Sequence, residues 1–241
     1  MNISKISQQN IPSNILKPIK RWNSILIIFF IIQIISWYIA LFKIGSDTDQ
    51  GNVYRILFVH VPVAWCAFFW VFFSAMFAGL ALIKTNKAVI FDRSSHTAIE
   101  IGTVFSILTI ITGSIWGRPT WGVWWDWDPR LTSSLVMLLI CCGYLILRHF
   151  TPDVKTKRTV CAIVAILGLI NIPIVYFSVN LWRSLHQPQT FIENSKNASS
   201  DISLVLFLNY IAMFILSIAI YKIRRQAISA QETLDAARGD E

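Results

Sequence analysis

Apolar residues fall along this chain in six long runs separated by shorter polar stretches. A helix needs roughly 20 apolar residues to cross the hydrocarbon core of a bilayer. Runs at about 24–42, 56–83, 98–115, 131–149, 160–181 and 202–222 meet or approach that length. Backbone groups in lipid have no water to bond, so each run must be helical where it crosses. The pattern therefore predicts an all-α integral membrane protein, a single six-span domain over residues 1–241. The first run reads as a span and not a cleavable leader, being long and followed by no A-x-A-like cleavage site. The second exceeds a minimal span, so its first turns around His60 are expected to project into the interface or bend at Pro62. The third is the most polar, carrying Glu100 and several hydroxyl residues, and an even number of spans supports it.

Charge turns this pattern into an orientation. With six spans, both termini share a side with the loops at about 84–97 and 148–159. That side carries thirteen basic residues near the membrane: Lys17, Lys20, Arg21, Lys84, Lys87, Arg93, Arg148, Lys155, Lys157, Arg158, Lys222, Arg224 and Arg225. The opposite side carries six, Lys43, Arg55, Arg118, Arg130, Arg183 and Lys196. Basic residues accumulate on the cytoplasmic side, so both termini are expected in the cytoplasm. Segments at about 43–55, 116–130 and 182–201 then lie outside.

Composition agrees with the spans. The chain is 55% hydrophobic and 14% charged, against about 45–50% and about 25% in a soluble domain. Its net charge of +8 flanks apolar runs and so reads as topology and contact with the lipid bilayer, not with nucleic acid. Cys66, Cys141, Cys142 and Cys161 all lie inside apolar runs without CxxC spacing. They read as small buried hydrophobes, not as a disulfide or zinc framework.

Candidate chemistry gathers on the outer side. His96 and His149 fall at the cytoplasmic boundary beside basic residues and read as ordinary interfacial histidines. His60, in LFVHVPVAW, and His186, in LWRSLHQP, fall at the outer boundary. Imidazole is a ligand for iron, copper and zinc, and two facing imidazoles suit a haem iron. Between these histidines in sequence lies WGRPTWGVWWDWDPR, residues 116–130. Its five tryptophans, Trp116, Trp121, Trp124, Trp125 and Trp127, fall within twelve residues. Two glycines and two prolines are expected to keep the whole stretch from being a regular helix. An aromatic belt spreads its rings over many helix ends, whereas one loaded loop offers a flat platform for a large planar ligand. Gly117 and Gly122 allow close backbone approach, and Arg118 and Arg130 could meet propionate-like carboxylates. Asp126 and Asp128 suit the orientation of those arginines, or of backbone amides, better than acid catalysis.

The run WGRPTWGVWWDWDPRLTSS resembles the tryptophan-rich WWD segment of the haem-handling membrane proteins of cytochrome c biogenesis. The six-span length, both flanking histidines and the LHQ after the fifth span are similar to the short CcmC branch of that family. The resemblance covers about residues 20–222. It implies haem b, bound non-covalently and transiently on the periplasmic side of a bacterial inner membrane. His60 and His186 would be its axial ligands, and the WWD segment would contact porphyrin and acceptor. It further implies delivery to the periplasmic haem chaperone CcmE, within a complex containing the ABC pair CcmA and CcmB and the small CcmD. The chain itself has no GxxxxGK[ST] phosphate cradle. This is haem transfer, not enzymatic catalysis, since any bond would form between the haem vinyl and the partner's histidine.

Three other readings have weaker support in the residues. A b-type electron-transfer cytochrome places ligand pairs within the bilayer and needs no outer tryptophan loop. A transmembrane haem transporter could route its cargo past Glu100, Gln33 and Asn171, since intramembrane polar groups are functional candidates. Their alternative is helix-to-helix hydrogen bonding, and no inverted repeat is evident. The larger cytochrome c synthetase of the same group has more spans and a large outer domain.

Overall fold

Long helices account for nearly all of the computed structural model, which describes residues 19–186 and 200–238. They are α1 (Ile19–Phe42), α2 (Leu57–Ile83), α3 (Ala88–Trp121), α4 (Pro129–Phe150), α5 (Val154–Leu181) and α6 (Ser200–Arg238). Short 3₁₀ turns, Val53–Ile56 and Thr85–Lys87, precede α2 and α3. All six helices are long and apolar enough to cross a membrane. Lys17, Lys196 and positions 187–199 of the 182–201 segment lie outside the described residues.

Two boundaries differ from the hydropathy reading. Helix α3 has 34 residues and begins ten positions before the expected span. Hydropathy marks where a helix meets lipid, not where it ends. The added turns are polar and are satisfied by neighbours, with Asp92 receiving both terminal nitrogens of Arg148 at 2.8 and 3.1 Å. Arg93 reaches Ser229 and Glu232 on the extended end of α6. At its other end α3 continues through Gly117 and Pro119 to Trp121, so the 116–130 stretch is only partly a loop. Pro119 sits in the final turn, where its missing N–H costs one backbone bond. The Thr120 hydroxyl bonds back to the Trp116 carbonyl at 2.7 Å. Gly122 then stops the helix in the left-handed conformation, φ 81°, its N–H on the Arg118 carbonyl.

Helix α2 is the centre of the bundle, touching α3, α5 and α6. Its Val71 packs where glycine permits close approach: a Cβ on Gly102 or Gly168 would lie 3.1 or 3.0 Å from the valine methyls. Small residues at such crossings let backbones approach, which drives helix association in lipid. Cys141 and Cys161 pack in the same core with Ile99, Met137 and Tyr144, and Cys66 packs beside Trp70.

Gln33, Asn171 and Glu100, the polar span residues singled out in the sequence, each bond to a neighbouring helix. Gln33 on α1 donates to Asn209 on α6 at 2.7 Å, and Asn209 donates to Ser36 at 2.6 Å. Asn171 on α5 donates to the Ser133 carbonyl of α4 at 3.1 Å. Glu100 accepts two bonds from Arg224 at 2.6 and 2.8 Å. These bonds join three different helix pairs, α1 with α6, α4 with α5 and α3 with α6.

Candidate functional site

At the end of the bundle where α2 begins and α3 ends, four separate pieces of chain converge. His60 lies in the first turn of α2 and is buried. Its Nδ1 is 2.9 Å from the hydroxyl of Thr112 on α3. That hydroxyl also lies 2.7 Å from the Leu108 carbonyl of its own helix. Gly113 provides the space for the ring, since a Cβ there would come within 3.1 Å of His60 Cε1.

His186 is set from a different direction. The chain leaves α5 at Trp182 and turns back across the start of α4. Asp128 anchors both elements. Its Oδ1 caps α4 by accepting from the N–H groups of Arg130 at 2.7 Å and Leu131 at 3.4 Å. Its Oδ2 accepts from the N–H of Leu185 at 2.7 Å, one residue before His186. Pro129 begins the helix, where its lack of an N–H costs nothing. Burial alone would raise the Asp128 pKa. Hydrogen bonds from the Ser184 side chain and from the Leu185, Arg130 and Leu131 amides outweigh it and hold the carboxyl below its usual value.

These supports bring His60 and His186 to one cleft. Their ring centres are 6.4 Å apart, and Trp116 lies 5.8 Å from each. A metal bonded at about 2 Å to one nitrogen of each ring, with roughly 1 Å more to each ring centre, sets the centres about 6 Å apart. The separation therefore fits one metal ion between the two imidazoles. The cleft is narrow, with about 40 Å³ of room for water-sized groups, and it opens to the surface. Trp116, Trp121, Trp125 and Arg130 line it together with the histidines. Two imidazoles, three indoles and one guanidinium therefore line a single cleft.

The other residues singled out in the sequence divide by task. Trp124 and Trp127 are 60% and 73% exposed and form the outer rim of the segment. Gly117 accommodates the folded-back ring of Trp121, which lies 3.1 Å from where a Cβ would sit. Arg130 donates to the Val175 and Tyr176 carbonyls at 2.6 and 3.1 Å, near the end of α5. Both bonds use Nη1, and Arg130 also lines the cleft. Arg118 is exposed and bonds the Gly122 carbonyl at the helix stop. Of the two aspartates, Asp128 orients backbone amides, whereas Asp126 is exposed on the loop. His96 lies at the far end of the bundle, 3.4 Å from Glu100, and His149 packs on Phe150 there.

Several contributors were absent from the sequence reading. Thr112 and Gly113 precede the tryptophan segment and look like ordinary span residues. Gln50, in the loop before α2, accepts from Trp116 Nε1 at 2.9 Å. Their partners are remote in sequence, 52 positions from Thr112 to His60 and 66 from Gln50 to Trp116. No local pattern signals such contacts.

Comparison with known proteins gives a consistent likeness. Residues 5–238 match the sequence model of the CcmC family, Heme exporter protein C. The chain is 38% identical over 180 residues to a mitochondrial protein of Marchantia polymorpha named as ccmC-like, covering 75% of each sequence. It is 32% identical over 201 residues to Heme exporter protein C of Bradyrhizobium diazoefficiens, covering 80% of this chain and 75% of the relative. Heme exporter protein C of Escherichia coli (strain K12) is 36% identical over 154 residues, 62% of this chain and 60% of the relative.

Proposed function

This chain belongs to the Heme exporter protein C family, and from that premise we propose that it binds haem at the outer face of the bundle and hands it to a periplasmic haem chaperone. The observation that carries the reading is the 6.4 Å separation of the His60 and His186 rings in a tryptophan-lined cleft. Haem b is held there non-covalently as cargo, between two neutral imidazoles that occupy both axial positions of its iron. Arg130 meets a propionate, and Trp116, Trp121 and Trp125 contact the porphyrin. Trp124 and Trp127, projecting from the rim, meet the incoming partner. The acceptor is CcmE, and the protein works in a complex with CcmA, CcmB and CcmD. Its own part is positioning, because an oriented donor and acceptor lose less entropy on reaching the reactive geometry.

The membrane side follows from charge. Reporter fusions after Gly51, Thr120 and Asn197 are expected to score as periplasmic, and fusions after Asn86, Asp153 and Ala230 as cytoplasmic. The excess of basic residues near the second set motivates this. A cytoplasmic signal at Thr120 would put the cleft on the wrong side for a periplasmic chaperone.

Transfer can be tested apart from insertion. In the double substitution Trp121→Ala and Trp125→Ala, the protein should still reach the membrane, since neither ring lies in the hydrophobic core of the bundle. Stacking on a flat ligand is worth about 1 kcal/mol per ring, so two rings imply a drop of roughly 10- to 30-fold in haem passed to the chaperone domain. Undiminished loading by the double mutant would reduce these rings to an interfacial belt.

A further inference from the structure

The His60 ring rests on two neighbouring residues of α3, neither of which belongs to the tryptophan segment. Thr112 has one hydroxyl proton and two lone pairs. The proton has its nearest acceptor in the Leu108 carbonyl at 2.7 Å, the back-bond that threonine makes within a helix. With that back-bond kept, a lone pair faces His60 Nδ1 at 2.9 Å, an arrangement that matches a protonated Nδ1. A neutral imidazole has only one N–H, and Nε2 becomes its only free lone pair. Gly113, the next residue, fixes where the ring can lie. A Cβ would stand 3.1 Å from Cε1 and 3.7 Å from Nδ1, tight enough to push the ring away from α3 and from the Thr112 hydroxyl.

We propose that Thr112 and Gly113 are positioning residues, which together hold His60 as its Nδ1–H tautomer and so present Nε2 to a metal in the cleft. This rests on the haem reading for its purpose, but not for its geometry. Metal-binding histidines generally donate their other ring N–H to a fixed acceptor, which sets tautomer and ring direction before the metal arrives. Here the acceptor is supplied by a neighbouring helix, so the α2–α3 packing itself prepares the ligand. The serine hydroxyl can replace that of threonine, whereas valine keeps the shape and removes the acceptor.

The test reads the apoprotein first. The full chain, labelled with 15N-histidine in detergent, should show a protonated Nδ1 and an unprotonated Nε2 for the signal that disappears in His60→Ala. Thr112→Ser should keep this pattern and Thr112→Val should lose it. Haemin titration should then give about 10-fold or weaker binding for Thr112→Val and Gly113→Ala, the usual cost of losing an outer partner of a metal ligand. Thr112→Ser should stay near wild type. A wild-type Nε2–H tautomer overturns the proposal, and so does a Thr112→Val protein with wild-type tautomer or affinity. If the tautomer results hold but His60→Ala binds haemin normally, the haem reading fails while the tautomer assignment stands.

Discussion

Alanine at His60 or at His186 should lower haem affinity by more than about 100-fold, because losing only an outer partner of a metal ligand already costs roughly 10- to 100-fold. The two histidines come from the start of α2 and the segment after α5, and their rings are 6.4 Å apart. On the proposed reading, removing either leaves the iron with one protein ligand in place of two. The effects should not add: once one ligand is gone, the second substitution removes a bond already weakened, as expected for groups acting as a unit. Titration of the purified protein with haemin measures this, with His96→Ala and His149→Ala as comparators that should bind like wild type. Both comparators lie at the opposite end of the bundle. Equal affinity across all four variants would remove the histidines from the site.

Asp128→Ala should be the most damaging change outside the ligands. Its carboxylate caps α4 and tethers Leu185, so one substitution frees two elements. Loss of an N-cap costs about 0.5–2 kcal/mol, and the Leu185 N–H loses its carboxylate acceptor as well. Asp128→Asn separates the two tasks. An amide still offers one oxygen to the cap, but its NH₂ cannot accept from Leu185. The asparagine protein should therefore fold at near wild-type yield and bind haem about 10-fold or more weakly, because His186 is no longer held. The aspartate's folded pKa lies below its usual value of about 3.9. Its contribution is thus present above that value and lost only in stronger acid, so a comparison at neutral pH reads the tether with the carboxylate fully charged. Wild-type binding by Asp128→Asn would show that the Leu185 bond does not position His186.

Much of this arrangement was legible along the chain. Hydropathy located all six helices, and the alternation of spans put His60, the tryptophan segment and His186 at one end. The helix ends were not legible. Gly117 and Pro119 are helix breakers on average, yet in a final turn the proline costs one bond, and the glycine is filled by the Trp121 ring. The arginines illustrate a different limit. Their charge pointed to an anionic ligand, but Arg130 also fastens α4 to the end of α5, a contact across 45 positions. Thr112, Gly113 and Gln50 were invisible for the same reason. Their roles are made by packing between helices, and nothing in their immediate sequence differs from an ordinary span or loop.

The central claim, that His60 and His186 hold one haem iron between them, is tested most directly by the optical and electron paramagnetic resonance spectra of the haem-loaded full-length protein. Two imidazole ligands predict a six-coordinate, low-spin ferric iron in the wild type, replaced by a different coordination state in each single alanine variant. A high-spin, five-coordinate wild-type spectrum, or a low-spin spectrum that persists when both histidines are removed, would contradict it.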